Sequence, residues 1–323
     1  MEKILGVGNA LVDIIKYIEN DDLLKNNSIP EGSKNHLNKE EFYNFLKQMN
    51  LEDAAYVSGG SVANVIQALS RLDIKSNFIG KVGNDEYGKQ FEKDFQEAGV
   101  DPVLIKDNGD TGQILHLFTQ ENEEAIVIGY SGVNMNFSLE DVRKKFLTGY
   151  SYLFIDGYLA RDHELLEGLA ALADKHSMKI IFDLASGDIA EGHKKFLKTF
   201  IKENVSILFA NDWEVFSYTG QEPEKALKSI GKDVDILVVK LGNRGSYIKR
   251  GDFVYSIPSY PVKLEDPTGA GDLYAAGFLY SYLHGKHLTQ CGKMGAFLAS
   301  QVIKIQGTRF SEEKWREIAT MLH

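Results

Sequence analysis

In 323 residues there is a single cysteine, Cys291. It can form no intrachain disulfide and no cysteine-based zinc cluster, and in its apolar helical surroundings it reads as a small core residue. Basic charge is also scarce: 36 Lys and Arg stand against 46 Asp and Glu, a net charge of −10. Nucleic-acid backbones are held by clustered Lys and Arg, so no nucleic-acid partner is expected. A phosphate ligand remains open, because it needs only local donors and a metal ion. No apolar run approaches the roughly 18 residues that span a bilayer, and no membrane partner is expected. The opening Ile4-Leu5-Gly6-Val7-Gly8 lacks a basic lead-in and a longer apolar stretch; it reads as a first strand, and the chain as cytoplasmic. Internal repeats, low-complexity tracts and Pro/Ser-rich linkers are missing too. What is present is ordinary for a globular protein: 43% hydrophobic and 25% charged residues, in a length that holds one large α/β domain and a smaller appendage.

Short apolar runs recur at Asn77–Gly80, Tyr152–Ile155, Lys179–Phe182, Ile207–Ala210 and Ile236–Val239. Uniformly apolar strands suit burial on both faces by helices. Between two of them, Glu164–His176 carries Leu165, Leu166, Leu169 and Leu172 at helical spacing. Such alternation predicts an α/β fold with a central, mostly parallel sheet. Two strand-like excursions interrupt it, at 14–37 and at 111–130, the second a hairpin with the polar turn Gln120-Glu121-Asn122-Glu123-Glu124. Together they predict a small β-lid, leaving 1–13, 38–110 and 131–323 to the large domain.

Chemistry concentrates where glycines and polar residues meet element ends. Asp266-Pro267-Thr268-Gly269-Ala270-Gly271-Asp272 precedes an apolar helical run. Small residues before a helix let backbone N–H groups approach an anion, which the helix dipole favours. Asp272 at that terminus has two readings, a helix cap or the base that takes a proton from an attacking hydroxyl. The segment is neither a Walker loop nor a dinucleotide fingerprint, since Tyr274 stands where a third glycine is needed, and Gly6-Val7-Gly8 fails likewise at Leu11. Ser58-Gly59-Gly60-Ser61-Val62-Ala63-Asn64 opens a helix through Leu72; it is either a turn with a cap or a set of donors for polyol hydroxyls. Asn9 and Asp13 follow the first strand, where ligands of open α/β sheets bind, and Asp13 suits two adjacent hydroxyls. Asn211-Asp212-Trp213-Glu214 and Lys240-Leu241-Gly242-Asn243-Arg244-Gly245 follow later strands, with helix capping and loop chemistry as the plain reading of the first.

In order and separation, Asp266–Asp272, Gly59-Gly60-x-x-x-Asn64 and Asn211-x-x-Glu214 make the chain resemble, over essentially its full length, the ribokinase-like PfkB family of carbohydrate and nucleoside kinases. The resemblance implies a three-layer α/β/α fold with a small β-sheet lid. It implies an anion hole at Gly269, Ala270 and Gly271 and a catalytic base at Asp272. Asn211 and Glu214 would serve the phosphates and Mg2+ of ATP, with Lys240, Gly242, Gly245 and Thr268 along the nucleotide. A monovalent cation, K+, would lie beside Asp266 and Thr268. Pro267 departs from the commoner Thr at a position without chemistry. Gly8–Ile14 and Gly59-Gly60-Ser61-x-x-Asn64 are most similar to the adenosine kinase branch, in which Asn9, Asp13, Gly59, Gly60, Ser61 and Asn64 would hold a ribose and Leu11 would meet the base.

The expected activity is therefore phosphorylation of a nucleoside 5′-hydroxyl, adenosine first, by a monomer or homodimer. The alternatives are a ribose- or fructose-type sugar acceptor and a non-catalytic ligand-binding protein on the same scaffold. Tyr17, Leu115, Leu117, Phe118 and Tyr130 offer either a stacking surface for a base or the core of the hairpin. An NAD-dependent oxidoreductase is disfavoured by the missing glycine fingerprint.

Overall fold

The computed structural model describes residues 2–19, 22–27, 29, 34–118, 126–305, 307 and 309–321. In chain order its strands are β1 (Ile4–Val7), β2 (Leu11–Tyr17), β3 (Lys34–His36), β4 (Ala55–Gly59), β5 (Ser76–Gly83), β6 (Val103–Asp107), β7 (Gly112–Phe118), β8 (Ile126–Tyr130), β9 (Tyr152–Asp156), β10 (Lys179–Asp183), β11 (Val205–Asn211), β12 (Ile236–Lys240), β13 (Ser246–Arg250) and β14 (Phe253–Ile257). The large sheet runs β14-β13-β12-β11-β10-β9-β1-β5-β6 and the small one β3-β8-β7-β2-β4. From β12 to β6 the large sheet is parallel, and the only antiparallel pairings among the described residues of that sheet are β12 with β13 and β13 with β14. The expected α/β class with a mostly parallel sheet is thus the observed one.

Alternate residues of the parallel strands feed two separate cores. Ile4, Phe78, Phe154, Ile181, Phe209 and Val238 pack under the helices Ser61–Arg71, Ala270–Leu283 and Leu288–Val302. Leu5, Ile79, Leu153, Phe182, Leu208 and Val239 face His163–Lys175 and Lys194–Asn204 on the other side. Strands covered on both faces must be apolar throughout, which is why these runs stand out in the sequence. Cys291 lies fully buried in the first core, where burial pushes its thiol up to about 12. Helix Ala270–Leu283 is enclosed almost all round. It crosses Leu288–Val302 so closely that a Cβ on Gly277 would stand 2.6 Å from the Met294 carbonyl oxygen. That packing fixes the N-terminus on which Asp272 sits.

The strands outrun their apolar stretches by one polar residue. β9, β10, β11 and β12 end on Asp156, Asp183, Asn211 and Lys240 at the carboxyl edge of the sheet, with Asp156 in register beside Asp183 and Asn211 beside Lys240. Ligands of open parallel sheets bind at this edge.

The small sheet has its own core: Ile14, Leu115, Leu117, Ile126 and Ile128 pack against Phe42, Phe45 and Leu46 of helix Lys39–Leu46. Asn38 caps that helix in a reciprocal box with Glu41. The expected division placed 14–37 and 111–130 here. The sheet also takes in β4 and the start of β2, because Leu11–Ile15 pair antiparallel with Ala55–Gly59, and helix Lys39–Leu46 covers its outer face. All of these lay in the segments 1–13 and 38–110 assigned to the large body. β7 and β8 pair as the expected hairpin. Its polar turn at 120–124 lies outside the described residues, as do 20–21, 28 and 30–33 of the first excursion.

Candidate active site

The short link from β1 to β2 carries the chain from the large sheet into the small one. Asn134 holds it: its side chain accepts from Ala10 N–H at 3.0 Å and donates to the Ala10 carbonyl at 2.9 Å. On β2, Asp13 points its carboxylate at β4, so that a Cβ on Gly59 would stand 2.4 Å from Asp13 Oδ2. Gly60 caps the next helix at φ 107°, where a Cβ would meet the Asn9 carbonyl oxygen at 2.3 Å. Neither position admits a side chain. The Gly-Gly pair therefore brings Asn9, Asp13 and the start of helix Ser61–Arg71 together. His116, on β7, adds its Nε2 at 3.2 Å from Asp13 Oδ1.

Asp272 does not cap its own helix. The cap residue is Gly269, in the left-handed region at φ 74°, and it makes no side-chain capping bond. Instead Ser61 Oγ donates to Asp272 Oδ1 at 2.7 Å and Asn64 Nδ2 to Oδ2 at 2.8 Å, so that two helix N-termini are tied through one carboxylate. Burial pushes Asp272 up to about 6, opposed by the hydrogen bonds from Asn64 and Ser61; Asp183 adds repulsion and Lys240 relieves part of it. A carboxylate with this value is ionised at neutral pH yet basic enough to take a proton.

Lys240, at the end of β12, donates to Asp183 Oδ2 at 2.9 Å, and its Nζ would lie 3.1 Å from a Cβ on Gly271. The cation thus faces the glycine turn. Burial would lower its pKa, but Asp183, Glu214 and Asp272 outweigh that and raise it, keeping the ammonium charged. Asp156 is fully buried and pushed up to about 7 by burial and then by Asp183.

Asn211 and Glu214 form a reciprocal capping box: Glu214 N–H donates to Asn211 Oδ1 at 2.7 Å, Asn211 N–H to Glu214 Oε2 and Asn211 Nδ2 to Glu214 Oε1, both at 2.8 Å. Capping, the plain reading of this motif, is realised, while the buried Glu214 carboxylate still reaches Lys240 electrostatically. Asp266 is fully buried; its carboxylate accepts from Thr268 N–H at 2.8 Å and Gly307 N–H at 2.7 Å. Gly242 and Gly245 shape the β12–β13 turn, where Leu241 N–H donates to the Gly245 carbonyl at 2.8 Å. Gly245 passes under Ile257, whereas Gly242 faces open space.

The inner face of the small sheet meets this cluster. Leu11, Val57, Ile114 and Val127 lie on it half-buried and belong to none of the three cores. Leu115 and Leu117, two candidates for a stacking surface, instead point into the small sheet's own core. Tyr130 packs there against Phe42 and Tyr43. Tyr17 and Phe118 stack on one another at 5.1 Å, at the far ends of β2 and β7. Side chains alternate along a strand, so the even-numbered residues of β7 face the cleft and the odd ones the core. Sequence reading also passed over Asp156, Asp183, His116 and Asn134. The signal for the first two is an acid that ends an apolar strand.

A buried carboxylate at a helix N-terminus, a glycine turn faced by a buried cation and two further acids thus gather at the carboxyl edge of the large sheet, on a ribokinase-like α/β scaffold. Residues 36–315 match the pfkB family of carbohydrate kinases. The chain belongs to that family, whose members phosphorylate sugar or nucleoside hydroxyl groups. It is 31% identical over 247 residues to an uncharacterized sugar kinase of Archaeoglobus fulgidus, covering 75% of this chain and 96% of that one. Among solved structures, a "probable sugar kinase" of Rhizobium etli superposes with a TM-score of 0.90 at 28% identity, covering 99% of this chain and 98% of that one. The adenosine kinase of Sinorhizobium meliloti gives 0.89 at 27%, covering 100% and 99%.

Proposed function

We propose that the enzyme transfers the γ-phosphoryl group of ATP to the 5′-hydroxyl of a nucleoside, with adenosine the first acceptor to test. The observation that carries this reading is the inner face of the small sheet. Beside the diol-binding Asp13 lies half-buried apolar surface, Leu11, Ile114, Val57 and Val127, outside every core. A planar base is covered well by such a surface, and a free sugar would leave it bare. Asn9, Asp13, Gly59, Gly60 and Asn64 hold the ribose in this reading, with Leu11 against the base.

Asp272 accepts the hydroxyl proton, the freed oxygen forms its bond to the γ-phosphorus, and the bond from that phosphorus to the ADP oxygen breaks. Gly269, Ala270 and Gly271 offer backbone N–H groups to the transferred group, and Lys240 places a fixed positive charge beside them. Ser61 and Asn64 orient the base. The small sheet acts as a lid that excludes water and so suppresses hydrolysis of ATP.

The residues present fit the family's Mg2+. No cluster of three metal-ligating side chains occurs among the described residues, which suits an ion held by one or two carboxylates and the substrate phosphates; Asp183 and Glu214 are the candidates, and Asn211 would serve the phosphates. When bound, Mg2+ neutralises phosphate charge. A K+ ion beside Asp266 and Thr268 is part of the proposal, because Asp266 is fully buried and no cationic side chain pairs with it among the described residues.

A ribose- or fructose-type sugar is the second reading. It is favoured by the polar His116–Asp13 pair, and the diol-binding residues serve either acceptor. ADP release measured across a panel of nucleosides and sugars separates the two. Adenosine is expected to show the higher kcat/KM, and a tenfold advantage for ribose or fructose would refute the nucleoside reading. Asp272→Asn is expected to lower kcat by orders of magnitude while acceptor binding persists; near-normal turnover would remove Asp272 from the mechanism.

A further inference from the structure

On the inner face of the small sheet, one row of residues runs outward from Asp13. Asp13 on β2 pairs with Ile114 on β7, Ile114 with Gly129 on β8, and Gly129 with His36 on β3. Three strand spacings carry the row about 14 Å from the diol site. Gly129 has no side chain, and the Ile114 and His36 side chains lie 3.1 and 3.3 Å from where its Cβ would stand. The apolar face therefore ends at an imidazole.

Two further groups meet His36 there. Ser131, buried at the end of the hairpin, has its Oγ 3.2 Å from His36 Nε2. Its carbonyl accepts from Asn134 Nδ2 at 3.1 Å, which ties it to the β1–β2 link that bears Leu11. Arg161 comes from the large body, at the end of the short helical turn that follows β9. Its Nη1 reaches Ser131 Oγ at 3.5 Å and Met135 Sδ at 3.8 Å, two weak contacts for a full charge. No carboxylate pairs with Arg161 among the described residues. Partial burial and the Arg161 charge hold His36 below the ordinary histidine range, so Arg161 is the cation of the trio at neutral pH. An exposed guanidinium with only weak contacts, directed from the body to the outer end of an apolar face, is placed to meet whatever lies along that face.

We propose that Arg161, with Ser131 and His36, forms a base-edge subsite at the outer end of the acceptor cleft, suited to a purine nucleoside whose far edge carries hydrogen-bond acceptors. The inference rests on the nucleoside reading. A guanidinium only donates, so it selects ring nitrogens and carbonyl oxygens, such as N1 of adenine or O6 of hypoxanthine. Ser131 both donates and accepts, and neutral His36 adapts by tautomer. The ribose is held at Asp13 and the base lies over Leu11 and Ile114, so a purine extends further along the row than a pyrimidine does. Arg161 thereby grades acceptors by base while Asp272 performs the same transfer on each.

The test compares wild type with Arg161→Met and Arg161→Lys, using MgATP and adenosine, inosine, cytidine, ribose and gluconate as acceptors. Thermal unfolding verifies that both variants fold. In Arg161→Met the ratio of kcat/KM for purine nucleosides to that for ribose is expected to fall about tenfold or more. The loss is expected in KM, with kcat held within about twofold, as for an interaction made equally in ground and transition states. Arg161→Lys is expected to recover part of it, since an ammonium donates without the planar fork. If wild type turns over purine nucleosides and Arg161→Met leaves the ratio unchanged, the subsite is refuted and the nucleoside reading stands. If wild type phosphorylates sugars but no nucleoside, the parent reading fails and takes the subsite with it. A selective loss on an anionic sugar such as gluconate would overturn the base-edge assignment in favour of an anion site.

Discussion

Replacing Ser61 or Asn64 with alanine is expected to move the acid limb of the pH–rate profile upward. Both side chains donate to the Asp272 carboxylate, at 2.7 and 2.8 Å, and oppose the burial that pushes it up to about 6. A hydrogen bond to a charged group contributes about 1.5–3 kcal/mol. One pKa unit corresponds to about 1.4 kcal/mol, so complete loss of one donor is a shift of about 1–2 units. Water entering the space left by the truncated side chain restores part of the solvation, which brings the expected shift to about one unit. The sign follows from the role: a base works when ionised, so a higher pKa requires a higher pH for the same rate. At pH 6 the ionised fraction then falls from about a half to about a tenth, a roughly fivefold loss that vanishes in the alkaline plateau. Asp156 titrates nearby, pushed up to about 7, so the observed limb belongs to coupled carboxylates. The quantity to read is therefore the displacement between variant and wild type. The assay is kcat by ADP release from pH 5 to 9 at saturating acceptor. An unmoved limb in both variants, or one displaced toward acid, would refute the reasoning.

Asp156→Asn is expected to raise thermal stability by a few degrees at pH 8.5 and by clearly less at pH 5. Because burial and Asp183 raise Asp156 above its unfolded value, its favourable contribution is full only below the unfolded value and is lost progressively as pH rises to about 7; a neutral amide escapes that loss. Melting curves at the two pH values check this, and a pH-independent difference would count against it. Gly60→Ala is expected to cost more stability than Gly242→Ala. Both glycines have positive φ, but a Cβ at 60 meets the Asn9 carbonyl at 2.3 Å while one at 242 meets nothing, so the second should cost only the roughly 1–2 kcal/mol of the backbone conformation. Chemical denaturation of the two variants measures the difference, and equal losses would show that the contact with Asn9 is unimportant.

Much of the fold was legible because strands buried on both faces must be apolar throughout, and Tyr152–Ile155 or Ile236–Val239 are hard to mistake. The limit of that signal is also physical. An apolar run stops where the buried part stops, so the reading ended one residue before Asp156 and Asp183, the acids the sheet delivers to the site. The glycines at 59, 60, 269 and 271 and the acid Asp272 were legible as a pattern, since close approaches require the absence of a Cβ. Whether Asp272 capped its helix was not, because its partners Ser61 and Asn64 lie more than two hundred residues away. In the small sheet, alternation showed that two faces exist without showing which one the cleft takes. Leu115 and Leu117 stood among the candidates for a stacking surface and Ile114 did not, yet helix Lys39–Leu46 covers the first two and leaves Ile114 outside the core. Arg161, Asn134 and His116 stand in no motif and gain meaning only from what lies opposite.

Asp13 belongs to β2, and β2 is hydrogen-bonded into the middle of the small sheet between β7 and β4. The carboxylate that would recognise the acceptor and the surface that would shelter it are thus a single piece of structure, continuous with Gly59 at the end of β4. Selectivity and economy are then not separable traits. On the proposed reading, a lineage that reshapes this sheet to admit a new acceptor would alter in the same step how well the site keeps ATP from water, so each change of diet would also have to restore the seal.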